Sequence, residues 1–203
     1  MDYTIENRIF ERMKKAKRGV VFFATDFAAY GNSKTCNKAL ERLTKQEKVM
    51  RVGRGIYTIP RKSQFFDRIT PNIETIAHGI ARRDKARIIP TGLFSENLLG
   101  LSTQLPMKVV YLTDGAPRKL VIGTTPLIFK KTSPKNLAAW GKISGLTIQA
   151  LKSITQERVT DDIIEKVVNI LQKEQPLYLS HDLKLAPEWI RKIMRKAQTN
   201  LNV

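Results

Sequence analysis

The hydrophobic residues at the start of the chain recur every three or four positions. Ile5 and Ile9 follow this spacing and predict a helix over residues 4–16, with Thr4 as its N-cap. The apolar run of residues 20–23 then predicts a short strand. A helix followed by a strand therefore opens the predicted fold.

A second amphipathic segment follows a brief predicted helix over residues 25–30. Ser33 is the expected N-cap of a third helix over residues 33–46. One face of that helix carries the apolar side chains Cys36, Ala39, Leu40 and Leu43. Beyond it the period changes from 3.6 to 2 on both sides of a Gly-Arg-Gly turn at residues 53–55, which predicts a two-stranded hairpin.

Helix, strand, helix, turn, helix and hairpin is the order of elements in a winged helix-turn-helix. We predict such a domain over residues 1–62. Pro60 and the charged stretch of residues 61–68 interrupt the pattern, and this predicts a boundary before a second domain over residues 70–203.

The second domain mixes helical and strand patterns. Helices are predicted over residues 72–82, from 91 or 95 to 101, and over 136–154, 161–172 and 187–198. Strands are predicted over 86–89, 108–112, 119–122 and 127–131. Asp114-Gly115 is the expected turn of a hairpin between the second and third of these strands. The predicted fold class is α+β, a winged helix followed by a mixed domain with a small antiparallel sheet and C-terminal helices.

The charge of the chain indicates a class of binding partner. Its 203 residues include 36 lysines and arginines against 18 aspartates and glutamates, a net charge of +18. Residues 1–62 alone carry 15 basic and 6 acidic side chains. Because cations that neutralise phosphates release condensed counterions, this excess favours nucleic acid. Basicity that serves only solubility, or binding to anionic membranes, remains an alternative.

The third helix and the hairpin carry the candidate DNA-binding side chains. The helix offers Ser33, Lys34, Thr35, Asn37, Lys38 and Arg42 on its polar face, and the hairpin offers Arg51 and Arg54. In a helix-turn-helix the second helix of the pair reads base edges, so Asn37, Lys38 and Arg42 are the expected readers. Arg54, between two glycines, is expected to reach a phosphate or a narrow minor groove, with Arg51 as a phosphate clamp. The alternative is an ordinary polar helix of a basic protein.

The aromatic residues of this domain have two interpretations. They are Phe10, Phe22, Phe23, Phe27, Tyr30 and Tyr57. A row of aromatic side chains could stack on the bases of a single strand. Their spacing among apolar residues is instead typical of the core of a small domain, which is the interpretation we prefer.

No sequence pattern predicts catalysis, a cofactor or a metal site. Ser180, His181 and Asp182 are adjacent, so their side chains diverge, and we expect them to start a helix rather than to form a triad. Asp182 and Lys184 could belong to an acidic-x-Lys nuclease element, but its metal needs further carboxylates, and the nearest are the helix-start residues Asp161 and Asp162. A single cysteine excludes an internal disulfide, and no apolar run is long enough to span a membrane, which favours a cytoplasmic protein.

A family resemblance lies in residues 19–60. The segment KALERLTKQEKVMRVGRGIYTIP within it resembles the N-terminal winged helix of the AbiEi-like antitoxins of bacterial type IV toxin-antitoxin systems. Its RGIY ending is the most specific part, and Gln46-Glu47-Lys48 stands where the family usually has a turn with glycine. Residues 89–92, 97–102 and 110–115 are similar to the second domain of a related, poorly characterised branch.

The resemblance implies a protein that binds repeats in its own promoter and represses its operon. It also implies an antitoxin that opposes a nucleotidyltransferase-like toxin without needing a stable complex with it. The basic residues of the second domain that could hold DNA or an RNA substrate of the toxin are Lys130, Lys131, Lys135, Arg191, Lys192, Arg195 and Lys196. A solvated surface without a binding role is the interpretation we prefer for them. A protein-interaction module without DNA binding and a metal-dependent nuclease remain the alternative functions.

Overall fold

The computed structural model describes residues 4–17, 19–60 and 69–199. The chain divides into two compact units. The first unit comprises residues 1–85 and 120–125, and the second unit comprises residues 86–119 and 126–203.

The first unit contains three α-helices, a 3-10 helix and a hairpin within its described part. In chain order they are α1 (Ile5–Lys15), a 3-10 helix (Ala24–Tyr30), α2 (Ser33–Lys45), β1 (Met50–Gly53), β2 (Ile56–Thr58) and α3 (Ile73–Asp84). Strands β1 and β2 pair antiparallel, and Phe22 joins them through an isolated bridge to Tyr57. The elements up to β2 follow the order that the hydrophobic pattern predicts.

Side-chain caps explain where the first two α-helices begin. Thr4 accepts a hydrogen bond from the backbone N–H of Asn7, as predicted. At α2 the cap is Asn32, whose Oδ1 accepts from the N–H of Thr35 at 2.9 Å, so the prediction of Ser33 was wrong by one residue. Asparagine and serine are about equally good caps, and sequence preference alone does not choose between neighbours.

The core of the first unit is built from the apolar faces of α1 and α2 and from aromatic side chains. Its buried members are Ile9, Met13, Phe22, Phe27, Cys36, Ala39, Leu40, Leu43, Val49 and Tyr57. The rings of Phe22 and Phe27 lie 5.8 Å apart, and Phe27 and Tyr30 lie 6.3 Å apart. Burial of Phe22, Phe23, Phe27 and Tyr57 confirms the packing interpretation for these four rings.

Helix α3 belongs to the first unit, although the sequence places it in the second domain. Most of the predicted boundary, residues 61–68, lies outside the described residues, and the compact units divide after Lys85. Arg82 donates a hydrogen bond to the carbonyl of Val21 at 2.9 Å. Gly79 faces Val21 so closely that a Cβ there would lie 2.1 Å from the valine Cγ2. These contacts join residues far apart in the chain, which no local pattern indicates.

The second unit combines a sheet with C-terminal helices. Its strands are β3 (Ile88–Thr91), β4 (Val109–Thr113), β5 (Arg118–Ile122) and β6 (Thr125–Lys131), and residues 120–125 around the β5–β6 turn group with the first unit. Its helices are α4 (Leu93–Leu98), α5 (Lys142–Ile154), α6 (Asp161–Leu171), α7 (Pro176–Asp182) and α8 (Glu188–Thr199), with 3-10 helices at Pro134–Leu137, Gln156–Arg158 and Leu183–Leu185. The α+β class and the C-terminal helices are therefore confirmed.

The order of strands in the sheet differs from the prediction. It is β3-β4-β6-β5, so β4 and β5 are not neighbours and the predicted hairpin between them is wrong. Strands β3 and β4 pair antiparallel, whereas β4 and β6 pair parallel, with Tyr111 opposite Phe129. The rings of Tyr111 and Phe129 lie 6.0 Å apart. Asp114 does not close a hairpin turn, because the strands on either side of it, β4 and β5, do not pair. Its carboxylate instead accepts two hydrogen bonds from Arg87, each at 2.8 Å.

The predicted helix over residues 136–154 is also interrupted. A 3-10 helix ends at Leu137, and α5 starts only at Lys142, after Trp140 and Gly141. Helix α7 was not predicted at all. Helices α5 to α8 share an apolar core that includes Leu151, Leu171, Leu179, Ile190 and Met194. Among the described residues, no helix combines the length and apolar character that crossing a bilayer would require.

The contact between Gly79 and Val21 yields a stability prediction. Replacing a helical glycine by alanine normally stabilises a helix by about 1 kcal/mol. In Gly79→Ala the new methyl would overlap the buried Val21 side chain, and overpacking typically costs about 1–3 kcal/mol. We expect the free energy of unfolding, measured in urea, to fall. The exposed neighbour His78→Ala should change it by less than about 0.5 kcal/mol, and a more stable Gly79→Ala would contradict the contact.

Candidate nucleic-acid interface

Helix α2 presents its polar face to solvent because its apolar face is buried. Cys36, Leu40 and Leu43 are fully buried and recur at the spacing of one helix face. The predicted base readers Asn37, Lys38 and Arg42 are all exposed, as are Ser33 and Lys34, and Thr35 is half-buried. Packing of the first unit therefore leaves this candidate surface accessible.

A groove runs between the start of α1 and the exposed side of α2. Its volume is about 800 Å³. It is lined by Thr4, Ile5, Glu6, Asn7, Asn32, Lys34, Thr35, Lys38, Ala39, Arg42, Gln46 and Lys48. Four of its lining side chains are cationic and one is a carboxylate, so the groove is positively charged.

The groove contains half of the predicted site residues. Lys34, Thr35, Lys38 and Arg42 line it together. The other four predicted residues, Ser33, Asn37, Arg51 and Arg54, do not line it. The groove also adds Asn7 and Lys48. The sequence interpretation missed them because the periodicity of α2 does not show which residues of α1, or of the segment after α2, lie beside it.

The cations of this surface differ in their partners. Within the described part of the chain, Lys34, Lys38 and Arg42 form no ion pair, and the same holds for Arg54. Lys45, in contrast, lies 3.7 Å from Glu41, in an exposed pair of the kind that contributes little to stability. The carboxylate of Glu6 accepts a hydrogen bond from Gln46 at 2.8 Å. Most of the positive charge in the groove is therefore available to a polyanion.

The hairpin presents one arginine at its tip. Arg54 is exposed in the turn between β1 and β2, next to Gly55, whose φ of +71° favours glycine. Arg51 is exposed on β1, and its Nε donates to the carbonyl of Gly53 at 3.3 Å, so its side chain follows its own strand. Arg54 is thus the hairpin cation that the local structure leaves free.

The residues considered for catalysis have structural partners instead. Asp182 is completely buried, and its carboxylate accepts hydrogen bonds from the N–H groups of Trp140 at 2.8 Å and Gly141 at 2.9 Å, and from the Ser144 hydroxyl. The Nδ1 of His181 lies 2.7 Å from Oδ1 of this carboxylate, the oxygen that also accepts from Trp140. Asp182 ends α7, so the prediction that it starts a helix was wrong.

A second carboxylate completes the cap of α5. Oε2 of Glu174 accepts from the N–H groups of Ile143 at 2.8 Å and Ser144 at 3.0 Å. The first N–H groups of a helix lack partners within the helix and carry partial positive charge, so carboxylates stabilise them. Both acids thus hold the start of α5. Across residues 4–17, 19–60 and 69–199, no three His, Cys, Asp or Glu side chains are grouped to hold a metal ion.

Several basic residues of the second unit are also engaged in the fold. Arg191 donates to the carbonyls of Leu183 and Ala186 and pairs with Glu188 at 2.9 Å. Lys131 donates to the carbonyl of Asp114 at 2.7 Å. Hydrogen bonds from Arg87 hold the pKa of the Asp114 carboxyl below its ordinary value of 3.8.

Comparison with known proteins places the chain within one family model. The model, described as a family of unknown function (DUF6088), matches residues 8–179. None of the curated proteins matches the chain.

The cap of α5 yields a second stability prediction. Asp182→Ala would leave the N–H groups of Trp140 and Gly141 without their acceptor, and each such group costs about 1–3 kcal/mol when it is buried. We expect a loss of about 3 kcal/mol or more in the free energy of unfolding, with a smaller loss for Asp182→Asn, which keeps one carbonyl oxygen. Glu165→Gln, an exposed charge change on α6, is the matched control. Equal effects of the three substitutions would exclude the capping role.

Proposed function

The chain belongs to this DUF6088 family, and we propose that its first unit is a winged helix-turn-helix that binds double-stranded DNA and represses the chain's own promoter. The observation that carries the proposal is the exposed polar face of α2, where Lys34, Lys38 and Arg42 have no ion-pair partner among the described residues. A positively charged surface of this kind attracts the phosphate backbone of any duplex.

The order of elements supports the docking geometry. In a winged helix-turn-helix, α2 would be the recognition helix and the β1–β2 hairpin would be the wing. An α-helix fits the major groove, where Asn37, Lys38 and Arg42 could hydrogen-bond to base edges. The groove between α1 and α2 would receive one strand of the backbone, since its cations surround a concave surface.

The hairpin supports a second contact in the same binding mode. Arg54 projects from a two-residue turn, where glycines on both sides let the backbone approach a ligand closely. A guanidinium in that position can contact a phosphate or enter a narrow minor groove. In this proposal Arg51 has a lesser role, because its Nε is engaged with Gly53.

We also propose an antitoxin role that opposes a nucleotidyltransferase-like toxin. Its support is the resemblance of residues 19–60, 89–92, 97–102 and 110–115 to the AbiEi-like antitoxins and a related branch. The second unit would carry this role. The role would not require a stable complex with the toxin.

Substitution of the surface cations tests DNA binding. Lys38→Ala should weaken binding to a duplex from the chain's own promoter by about 1–3 kcal/mol, or roughly 5- to 150-fold, and reduce discrimination against an unrelated duplex. Arg54→Ala should weaken binding to both duplexes and lower the slope of log affinity against log salt by about one. Fluorescence anisotropy at several salt concentrations measures both effects.

The charge-matched control is Lys166→Ala, an exposed lysine on α6 of the second unit. If all three variants bind as tightly as the wild type, α2 and the hairpin do not contact DNA. A toxin that co-purifies at high salt with a chain that binds no DNA would favour the protein-interaction alternative. Cleavage of DNA that requires Mg²⁺, and that is lost in Asp182→Asn while thermal unfolding shows that the variant is folded, would favour the nuclease.

Co-expression tests the antitoxin role. Cells that express a nucleotidyltransferase-like protein encoded beside this gene should stop growing, and the chain should restore growth. The variant Lys38→Ala with Arg54→Ala should still restore growth, because protection is assigned to the second unit. Failure of the wild-type chain to restore growth of arrested cells would refute this role and leave the DNA-binding proposal intact.

A further inference from the structure

Two lysines of the second unit lie beside a small cavity. Lys135 belongs to the 3-10 helix Pro134–Leu137, and Lys152 belongs to α5. The cavity has a volume of about 10 Å³, enough for one water-sized group. Its polar lining residues are Lys135, Asn136, Gln149 and Lys152. The polar part of the cavity is therefore formed by two cations and two amides.

The hydrogen bonds around the cavity leave donors rather than acceptors. The Oδ1 of Asn136 accepts from Lys152 at 2.9 Å, and its amide nitrogen donates to Thr132 at 2.8 Å. Gln149 is only 3% exposed, and its Oε1 accepts from Thr91 at 3.5 Å. Its amide nitrogen donates no hydrogen bond to the rest of the described chain. A ligand that supplies an acceptor could therefore hydrogen-bond to this amide group.

The charges around the cavity favour the same kind of ligand. No carboxylate pairs with Lys135 or Lys152 in the parts of the chain that the structure describes. Partial desolvation and the charge of Lys135 hold the pKa of Lys152 below its ordinary value of 10.5. A bound anion would offset the repulsion between these two cations.

We propose that Lys135, Lys152 and the Gln149 amide form a binding site for a phosphoryl group. One oxygen would enter the cavity and accept from Gln149, while the others would contact the two ammonium groups at its mouth. Lysine is a common phosphate ligand because its compact ammonium group has three donors. The phosphoryl group could come from free phosphate or a nucleotide, or from a nucleic-acid backbone. The site is separate from α2 and does not depend on the proposed DNA binding.

Calorimetry tests the site. The full chain is titrated with inorganic phosphate, and sodium chloride keeps the ionic strength constant. Lys152→Met and Lys135→Met should each weaken phosphate binding at least tenfold, and Lys166→Met should bind like the wild type. In NMR spectra of the lysine ammonium groups, phosphate should raise the pKa of Lys152. Because both site lysines are exposed, thermal unfolding should show that the variants fold.

Competition distinguishes the two sources. If duplex DNA displaces phosphate from the Lys38→Ala, Arg54→Ala chain, and Lys152→Met weakens the remaining DNA binding, the backbone supplies the phosphoryl group. If ATP displaces phosphate and DNA does not, the ligand is a small molecule. Either result supports the site. Absence of phosphate binding, or equal binding by Lys152→Met and Lys166→Met, would overturn it.

Discussion

The packing of one face of α2 is the interaction on which the candidate interface depends. Cys36, Leu40 and Leu43 have no exposed surface, and loss of a buried leucine side chain typically costs about 2–5 kcal/mol. This burial sets the rotation of the helix about its own axis. Because the opposite face must then meet solvent, Lys34, Lys38 and Arg42 are exposed, although no ion pair within the described residues holds them there. Stability and accessibility of the site thus have the same physical origin.

Acidic and basic side chains have different roles in this structure. Glu174 accepts a hydrogen bond from the N–H of Ser144 in the first turn of α5, and Asp182 accepts from the N–H of Gly141 just before it. Without these carboxylates the N–H groups would lack acceptors. Many of the chain's cations remain on the surface. Lys34, Lys38 and Arg42 of α2, and Lys135 and Lys152 beside the cavity, have no carboxylate partner in the described chain. These exposed cations present positive charge where a polyanion can reach it.

Local patterns predicted most elements but not how they pair. The bounds of α1, α2 and α6 agree with the periodicity to within a residue or two, because each is a long amphipathic helix with a polar cap. Helix α7 was missed because it is a short element without a clear period. The pairing of β4 with β6 was missed because Asp114-Gly115 is typical of a hairpin turn, whereas parallel pairing depends on contacts between residues far apart. Helix α3 is a similar case, because the hydrogen bond from Arg82 to Val21 that joins it to the first unit connects residues far apart in the chain.

Within the candidate site, the amino-acid sequence alone determined which residues of α2 face outward and that Arg54 stands at a turn, since both follow from periods of a few residues. Only the tertiary structure decided that Lys34, Lys38 and Arg42 share a groove with Asn7 and Lys48, and that Asp182 caps a helix. It also brought Lys135, Gln149 and Lys152 to one cavity. The reason is physical: the rotation of a helix is set by its own apolar residues, but the neighbours of a side chain are set by contacts between distant parts of the chain.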